Sequence, residues 1–252
     1  MTNTKGSDSK EMPFLEHLEE LRRRILIGLL STVIFTLGSF PFTGTLLNFL
    51  TLPNDGLENP AKLIFLKPAG MLVVRMEIAL AAGIIISLPV LLFQLWMFVS
   101  PGLLPKEKGF FLPTILFTTF CFLFGAFFAY KILIPVVLPF LFSMGTESIK
   151  ATINITEYIG FVLRLIILSG LIFELPVLSF FLARIGVLTP DFMRKYRKYG
   201  IVLVFIFAAV ITPPDPMSQL LIAFPLLILY EISIIVARFA QKKRDKSMES
   251  IL

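Results

Sequence analysis

The sequence is short of the residues that build most enzyme active sites and metal centres. Among its 252 residues there is one cysteine, Cys121, and one histidine, His17. A lone cysteine excludes an internal disulfide, and one histidine with one cysteine gives no cluster of zinc ligands. The chain also has no glycine-rich phosphate loop and no nucleophile–base pair. We therefore expect a protein that is not an enzyme and that holds no metal or cofactor.

Charged residues are scarce as well, and apolar residues take their place. Asp, Glu, Lys and Arg make up 16% of the chain, whereas 56% is hydrophobic and 27 residues are phenylalanine. Six apolar runs have lengths near those that cross a bilayer. They are Ile25–Phe42, Ile78–Phe98, Phe110–Ala129, Tyr158–Ile185, Tyr199–Ile211 and Leu220–Val236. The pattern predicts an all-α integral membrane protein with six transmembrane helices, of which the fifth covers only about 20 Å.

Positive charges are distributed unevenly between the connections. If the N-terminus is cytoplasmic, 17 of the 23 lysines and arginines fall on the cytoplasmic side, where such residues are enriched. Both termini are therefore predicted to be cytoplasmic, and the net charge of +6 reflects topology instead of nucleic-acid binding. The chain divides into an N-terminal amphipathic segment (1–24), a six-helix transmembrane domain (25–236) and a basic cytoplasmic tail (237–252).

Prolines interrupt four of the predicted spans, and each removes a backbone hydrogen bond and favours a kink. They are Pro89, Pro113, Pro176 and Pro225. The kinks predict helices that curve into a cupped bundle. A rigid turn, Thr212-Pro213-Pro214-Asp215-Pro216, precedes the last span, and Asp215 is predicted to cap the helix that follows it.

Two carboxylates lie inside apolar runs, Glu174 in the fourth and Glu231 in the sixth. An acid at membrane depth costs on the order of 2.5–3.5 kcal/mol, so it usually faces protein or water and marks a function. The structural alternative for Glu174 is a protonated acid that is hydrogen-bonded to a neighbouring backbone or hydroxyl group.

The N-terminal segment predicts an amphipathic helix that continues into the first span. Its apolar residues recur at helical spacing, at Phe14, Leu15, Leu18 and Leu21. Glu19–Arg23 and Glu20–Arg24 have the spacing of pairs that stabilise an exposed helix. The same carboxylates are also suited to a basic ligand, and the residues alone leave both interpretations open.

Short motifs follow one another in a recognisable order. They are His17-Leu18-Glu19-Glu20-Leu21-Arg22, Ser87-Leu88-Pro89-Val90, Gln94-Leu95-Trp96-Met97-Phe98-Val99, Pro101-Gly102-Leu103 with Glu107, Phe173-Glu174-Leu175-Pro176, Ile211-Thr212-Pro213-Pro214-Asp215, and Ser218-Gln219 with Glu231. In their order and spacing they resemble the TatC family, the polytopic subunit of the twin-arginine protein translocase. The resemblance covers nearly the whole chain.

The resemblance implies a receptor and core scaffold in the bacterial cytoplasmic (inner) membrane. Such a protein binds twin-arginine signal peptides of folded precursors on the cytoplasmic face, and transport uses the proton motive force. The implied signal-peptide-binding residues are Glu107, Glu20, Phe98 and Arg22. The implied partners are TatA and TatB subunits and further copies of the chain, and the polar residues expected to meet the partner subunits are Glu174, Gln219 and Glu231.

Two other functions are compatible with acids inside spans. A proton-coupled transporter of a small solute would use Glu174 or Glu231 as a relay, although such proteins usually have repeated halves and no repeat is visible here. An intramembrane enzyme is disfavoured by the missing catalytic residues. Glu20 and Glu107 favour the receptor, since carboxylates on the inner face suit a basic peptide and a small-solute carrier has no evident need of them.

Overall fold

The computed structural model describes residues 12–99, 111–143, 152–211 and 215–249, and most of these are helical. The elements are α1 (Met12–Ser39), α2 (Thr43–Asp55), β1 (Lys62–Ile64), α3 (Gly70–Val99), α4 (Phe111–Phe128), α5 (Ile134–Ser143), β2 (Thr152–Asn154), α6 (Ile155–Phe173), α7 (Leu175–Arg184), α8 (Pro190–Lys195), α9 (Arg197–Ile211) and α10 (Pro216–Glu249). A 3₁₀ turn at Phe40–Phe42 joins α1 to α2, and a π-helical turn at Ala129–Leu133 joins α4 to α5. The prediction of an all-helical membrane protein is confirmed.

Five helical stretches in the described ranges are long and apolar enough to cross a membrane. They are Glu16–Asp55, Gly70–Phe98, Pro113–Ser143, Ile155–Arg184 and Pro216–Lys242. The predicted fifth span corresponds to α9, a 15-residue helix that is not among these five stretches. It covers about 22 Å, less than a hydrocarbon core of about 30 Å, so the count of six spans stays a prediction.

The buried core lies around α6. This helix supplies Ile159, Val162 and Leu165, which are fully buried. Residues of α3, α5 and α10 belong to the same buried cluster, among them Val74, Ile78, Val137, Leu138, Ile222 and Leu226. Helix α1, by contrast, packs mainly on α3 and leaves most of its large apolar side chains exposed. A chain in a bilayer presents such a surface to lipid, which is as apolar as the side chains themselves.

Two glycines allow α4 and α6 to approach closely. A Cβ at Gly125 would lie 2.7 Å from Phe173 Cβ, and a Cβ at Gly170 would lie 2.7 Å from the Phe122 ring. Small residues at such crossings are typical of membrane helices. The contact holds the end of α6, and therefore Glu174 directly after it, against α4.

A break in the helix is observed at one of the four prolines that were predicted to kink their spans. Helix α6 ends at Phe173 and α7 begins at Leu175, with Pro176 in its first turn. Helices α3 and α10 continue past Pro89 and Pro225. The cupped shape that was predicted from all four prolines therefore stays a prediction.

A tyrosine hydroxyl replaces a hydrogen bond that proline removes from α2. Pro53 lies inside α2 and has no N–H to donate to the carbonyl of Phe49. The hydroxyl of Tyr130 donates to that carbonyl at 2.7 Å, and Tyr158 donates to the next carbonyl, of Leu50, at 3.1 Å. The polar ends of two core tyrosines thus fix α2 against the bundle.

Two short strands join the connections at the same end of the molecule. Strand β1 pairs in parallel with β2, with Lys62 opposite Thr152. The Asn54 side chain closes the turn before β1, because it accepts from the Ala61 N–H at 3.0 Å and donates to the Ala61 carbonyl at 3.1 Å. The long connection after α2 is therefore ordered by specific contacts.

At the opposite end, the α7–α9 connection packs on α10. Gly186 ends α7 with a φ of +84°, a left-handed conformation that favours glycine. Thr189 caps α8 by accepting from the Phe192 N–H at 3.2 Å. The Tyr230 hydroxyl of α10 donates to the Met193 carbonyl at 2.9 Å, which ties α8 to α10.

Asp215 caps α10, as predicted from the sequence. Its carboxylate accepts from the Met217 N–H at 3.4 Å and the Ser218 N–H at 2.7 Å, and from the Ser218 hydroxyl. These donors, led by the Ser218 hydroxyl, lower the pKa of Asp215 below its ordinary value. The charged form is therefore the one that the folded chain favours.

Substitution of Asp215 should reveal a pH-dependent contribution to stability. The contribution is complete above the pKa of an unfolded aspartate, about 3.9, and is lost as pH falls through the lower folded pKa. We expect Asp215→Ala to lower the thermal midpoint in detergent by a few degrees at pH 7 but less at pH 3. Asp215→Asn keeps a capping oxygen but does not titrate, so it should lower the midpoint less than alanine at pH 7 and show no such dependence on pH. Equal losses for Ala at both pH values would contradict the capping role.

Candidate functional site

Helices α1 and α3 pack through a seam of small and hydroxyl-bearing residues. The Thr32 and Ser87 hydroxyls are 3.0 Å apart across the seam. Thr32 also donates to the Gly28 carbonyl at 3.0 Å, and Ser31 donates to the same carbonyl at 2.7 Å. A Cβ at Gly83 would overlap Thr36, so α3 approaches the α1 backbone here without a side chain between them. The seam places the N-terminal end of α1 beside the C-terminal end of α3.

At that end, two of the predicted signal-peptide-binding residues are brought together. The Phe98 ring of α3 stacks on His17 of α1, with centroids 4.3 Å apart and planes 16° from parallel. Two turns further along α1, Arg24 donates to Glu20 at 3.0 Å and to Gln94 of α3 at 3.2 Å. Glu20 and Phe98 therefore belong to one surface, although 78 positions separate them in the sequence.

An apolar groove leads from this surface along the α1–α3 interface. It has a volume of about 530 Å³, and Leu21, Leu29, Leu91, Leu95 and Phe98 contribute to its lining. Arg24 and Gln94 are the polar residues at its charged end. A second hollow of about 340 Å³ beside it is lined by charged residues only, namely Glu16, Glu19, Glu20, Arg23 and Arg24. The arrangement suits an extended or helical segment that carries basic residues next to apolar ones.

Of the other two predicted residues of this set, the structure describes only Arg22. Glu107 lies outside the described residues. Arg22 is exposed on α1, and the groove lining includes its neighbour Leu21 and Arg24 but not Arg22. Of the two pairs that the spacing predicted, Glu20–Arg24 is formed, and it leaves one Glu20 oxygen without a hydrogen-bond partner in the described part of the chain.

Glu174 is buried at the junction between α6 and α7. Only 7% of the residue is exposed, and neither carboxylate oxygen has a hydrogen-bond partner among the described residues. The backbone N–H of Phe122 lies near the carboxylate, but no contact within those ranges has the geometry of a full hydrogen bond. The alternative of a hydrogen-bonded, protonated acid stays a prediction. Cys121 of α4 is close enough to interact electrostatically with the Glu174 carboxyl. A buried carboxyl without a hydrogen-bond partner is costly at this depth.

Gln219 and Glu231 both contact α9. The Gln219 amide donates to the Phe205 carbonyl at 2.9 Å, and Glu231 forms an ion pair with Arg197 at 2.9 Å. Glu231 thus has an ion-pair partner, which its position in an apolar run did not indicate. About 18 Å of α10 separates the two residues, so they do not form one site with each other.

A comparison with known proteins identifies the family. The family model for the Sec-independent protein translocase protein TatC matches residues 16–225. The chain belongs to the TatC family. The motif-based prediction of this family is confirmed, and the chain is a membrane component of protein transport.

Relatives and solved structures agree with the TatC assignment over most of the chain. TatC of Desulforapulum autotrophicum is 38% identical over 243 residues, which cover 96% of this chain and 90% of the relative. TatC of Aquifex aeolicus is 39% identical over 237 residues, 93% of this chain and 98% of the relative. A crystal structure of the twin-arginine translocase receptor TatC matches with a TM-score of 0.82 and 37% identity, and the match covers 89% of this chain and 99% of that one.

In this TatC chain, sequence reasoning missed two residues with unusual surroundings. Glu77 lies inside α3 with its Oε2 atom buried and without a hydrogen-bond partner in the described ranges. The second apolar run was counted from Ile78, and extending it back to the glycine that starts α3 would have included this acid. Trp96, which was noted in the sequence only as part of a motif, packs edge-on against Phe181 of α7 with ring centroids 4.0 Å apart.

Proposed function

We propose that the chain is the receptor and core scaffold of a twin-arginine translocase and that the α1–α3 surface binds the signal peptide. The observation that carries this proposal is the stack of His17 on Phe98 beside Glu20, at the charged end of an apolar groove. Signal peptides of this pathway join paired arginines to an apolar stretch. The surface offers complementary chemistry for both parts.

The paired arginines are recognised by carboxylates in this proposal. A guanidinium presents a planar fork that a carboxylate accepts through two parallel hydrogen bonds, which a lysine does not reproduce. Glu20 supplies one carboxylate and Glu107 the other, and Arg22 stays a predicted contributor from α1. An exposed ion pair contributes at most about 1 kcal/mol, so useful affinity also needs the apolar stretch to pack in the groove.

We further propose six spans, with α9 as a short fifth span and both termini in the cytoplasm of a bacterial cell. The uneven distribution of lysine and arginine supports this topology. The contacts of α8 and of Arg197 with α10 also support it, because they bring the α7–α9 connection and the final helix to one end of the molecule. A short span is accommodated by local thinning of the bilayer.

TatA and TatB subunits are the proposed partners in the membrane, together with further copies of the chain. Glu174 is the strongest candidate for contact with them, since it is buried without a partner of its own among the described residues. Gln219 and Glu231 are weaker candidates because α9 already engages both. The proposed role is not enzymatic: the proton motive force drives transport. Family membership favours this receptor over a small-solute transporter.

Precursor binding tests the receptor proposal. We expect Glu20→Gln and Glu107→Gln each to weaken binding of an Arg-Arg precursor by about tenfold. The peptide packed in the groove shields these pairs from water, and hydrogen bonds to charged groups then contribute about 1.5–3 kcal/mol instead of the smaller value of an exposed pair. A photo-reactive residue in place of Leu95, which is exposed and lines the groove, reports binding as cross-linked adduct in inverted membranes. A Lys-Lys precursor should give little adduct with any variant.

Glu58→Gln is the matched control, since Glu58 is an exposed acid in the connection at the other end of the molecule. It should leave the adduct unchanged. No adduct with either precursor, from protein shown to be folded, would contradict the receptor role. An equal loss in Glu58→Gln would show that general charge, and not this surface, attracts the precursor.

A further inference from the structure

A crevice between α3 and α6 has charged residues at one end and apolar residues at the other. Its volume is about 460 Å³, and the facing stripes of the two helices line it. The charged end contains Glu77, Glu157 and Arg164. The apolar end contains Leu80, Ile84, Leu163 and Ile167. The receptor function proposed above uses none of these residues.

The two charges that face each other across the crevice are not bonded to each other. Arg164 is exposed, and its Nε donates to the Gly160 carbonyl at 2.9 Å, which turns the guanidinium towards the start of α6. Glu77 has one buried oxygen without a partner in the described ranges. A Cβ at Gly160 would lie 3.8 Å from the guanidinium and 3.9 Å from Glu77 Oε2, so both groups border the open space above this glycine.

An unbonded carboxylate and guanidinium in a membrane are costly unless something bridges them. A bridging group must donate to Glu77 and accept from Arg164, and a group with a cation next to an anion does both through charge-assisted hydrogen bonds. We propose that the crevice binds the headgroup of an aminophospholipid. Its ammonium lies between Glu77 and Glu157, its phosphate accepts from Arg164, and one acyl chain follows the apolar end.

The order of the lining residues matches the order of groups in such a lipid. Glu157 lies two residues after the start of α6, Glu77 seven residues after the start of α3, and Ile84 and Ile167 lie about 10 Å or more deeper. A phospholipid has its ammonium outermost, its phosphate below and its acyl chains towards the bilayer centre. The match holds for either orientation of the protein, and only the identity of the leaflet rests on the topology proposed above.

Lateral access also favours a lipid over a soluble zwitterion. Leu80 at the rim is half exposed and Arg164 is exposed, so the crevice is open to the surroundings of the helices. In a membrane those surroundings are lipid at this depth. A polar side chain from a partner helix is the competing occupant, and the test below separates the two.

Lipid binding by the purified full-length chain tests the proposal. Native mass spectrometry would compare phosphatidylethanolamine, phosphatidylcholine and phosphatidylglycerol with identical acyl chains. We expect Glu77→Gln and Arg164→Gln each to weaken phosphatidylethanolamine binding by about tenfold, as expected for charge-assisted hydrogen bonds. Phosphatidylcholine should bind more weakly, because its quaternary nitrogen has no N–H to donate. Phosphatidylglycerol, which has no cation, should lose affinity in Arg164→Gln but not in Glu77→Gln.

Two further variants separate the site from general charge and from misfolding. Arg75→Gln removes a guanidinium two residues from Glu77 that does not line the crevice, and it should leave binding unchanged. Gly160→Leu keeps both charges and fills the space between them. Because the Cβ makes only ordinary contacts there, the variant should fold and still lose phosphatidylethanolamine binding.

Three outcomes would overturn the proposal. Unchanged phosphatidylethanolamine binding in both charge variants would mean that water alone bridges the pair. An equal loss of phosphatidylethanolamine binding in Arg75→Gln would show that general surface charge, and not this crevice, attracts the lipid. A photo-reactive residue at Leu80 that cross-links to a partner subunit in membranes, and not to lipid, would assign the crevice to a protein helix. Lipid adducts at Leu80 that disappear in Gly160→Leu would support the lipid site.

Discussion

Gly83→Ala is expected to separate α1 from α3 and to abolish most precursor binding. A Cβ at this position would overlap the Thr36 side chain and would lie 2.7 Å from the Thr36 backbone nitrogen and 2.8 Å from its Cα. A flexible side chain can rotate away from such an overlap, but a helix backbone cannot. We expect a loss of stability near the upper end of the 1–3 kcal/mol that overpacking typically costs, about 3 kcal/mol.

The functional loss follows from the position of the seam. The contact at Gly83 holds α1 in place, and α1 carries His17 and Glu20 to the end of α3. When the helices separate, the His17–Phe98 stack and the Arg24–Gln94 hydrogen bond are lost together, and the groove widens. Cysteines in place of Thr32 and Ser87, in a chain without Cys121, would report the separation as a fall in disulfide yield.

Gly38→Ala is the matched control, because a Cβ at Gly38 meets nothing within 4 Å. Alanine there should leave disulfide yield and precursor binding unchanged and slightly favour the helix. If Gly83→Ala retained both the disulfide and precursor binding, the close approach of the two helices would not be what organises the candidate site.

Glu174→Leu is expected to stabilise the chain while it impairs assembly with partner subunits. Removing a buried polar group that has no hydrogen-bond partner recovers a desolvation cost of about 1–3 kcal/mol. The same carboxyl is the group that we propose a partner helix satisfies, so affinity for the partner should fall by about tenfold or more. The opposite signs of the two effects distinguish a functional acid from a structural one.

Unfolding in detergent and co-purification with the single-span subunits would measure the two effects. Ser169→Ala is the control, since Ser169 is also buried on α6 with a hydroxyl that lacks a partner among the described residues. It should stabilise the chain slightly and leave assembly intact. A loss of stability in Glu174→Leu would mean that the carboxyl already has a partner within the chain, and unchanged assembly would contradict its proposed role.

Local features of the structure were predictable from the sequence, and long-range contacts were not. The Asp215 cap and the Glu20–Arg24 pair were predicted because both partners lie within one helical turn. The stack of His17 on Phe98 joins residues 81 positions apart, and no periodic pattern records which helix α1 packs against. The motifs nevertheless named both ends of that surface, because a family resemblance carries information about packing that periodicity lacks.

The buried polar residues show the same limit. Glu174 and Glu231 were both noted as acids in apolar runs, yet one is unpartnered within the described ranges and the other is paired with Arg197. The difference depends on where α9 begins relative to α10, which the sequence does not state. Glu77 was missed because it directly precedes the counted apolar run, so it was not recognised as an acid inside a span.

The peripheral position of α1 has a consequence for how the chain enters the membrane. During synthesis α1 emerges before any helix that it contacts, so it must be stable in lipid without them. Its hydroxyl groups at Ser31 and Thr32 already have an acceptor in the carbonyl of Gly28, within the same helix. These two hydroxyls therefore create no need for a second helix when α1 enters the bilayer, and α3 later packs against a helix that already satisfies them.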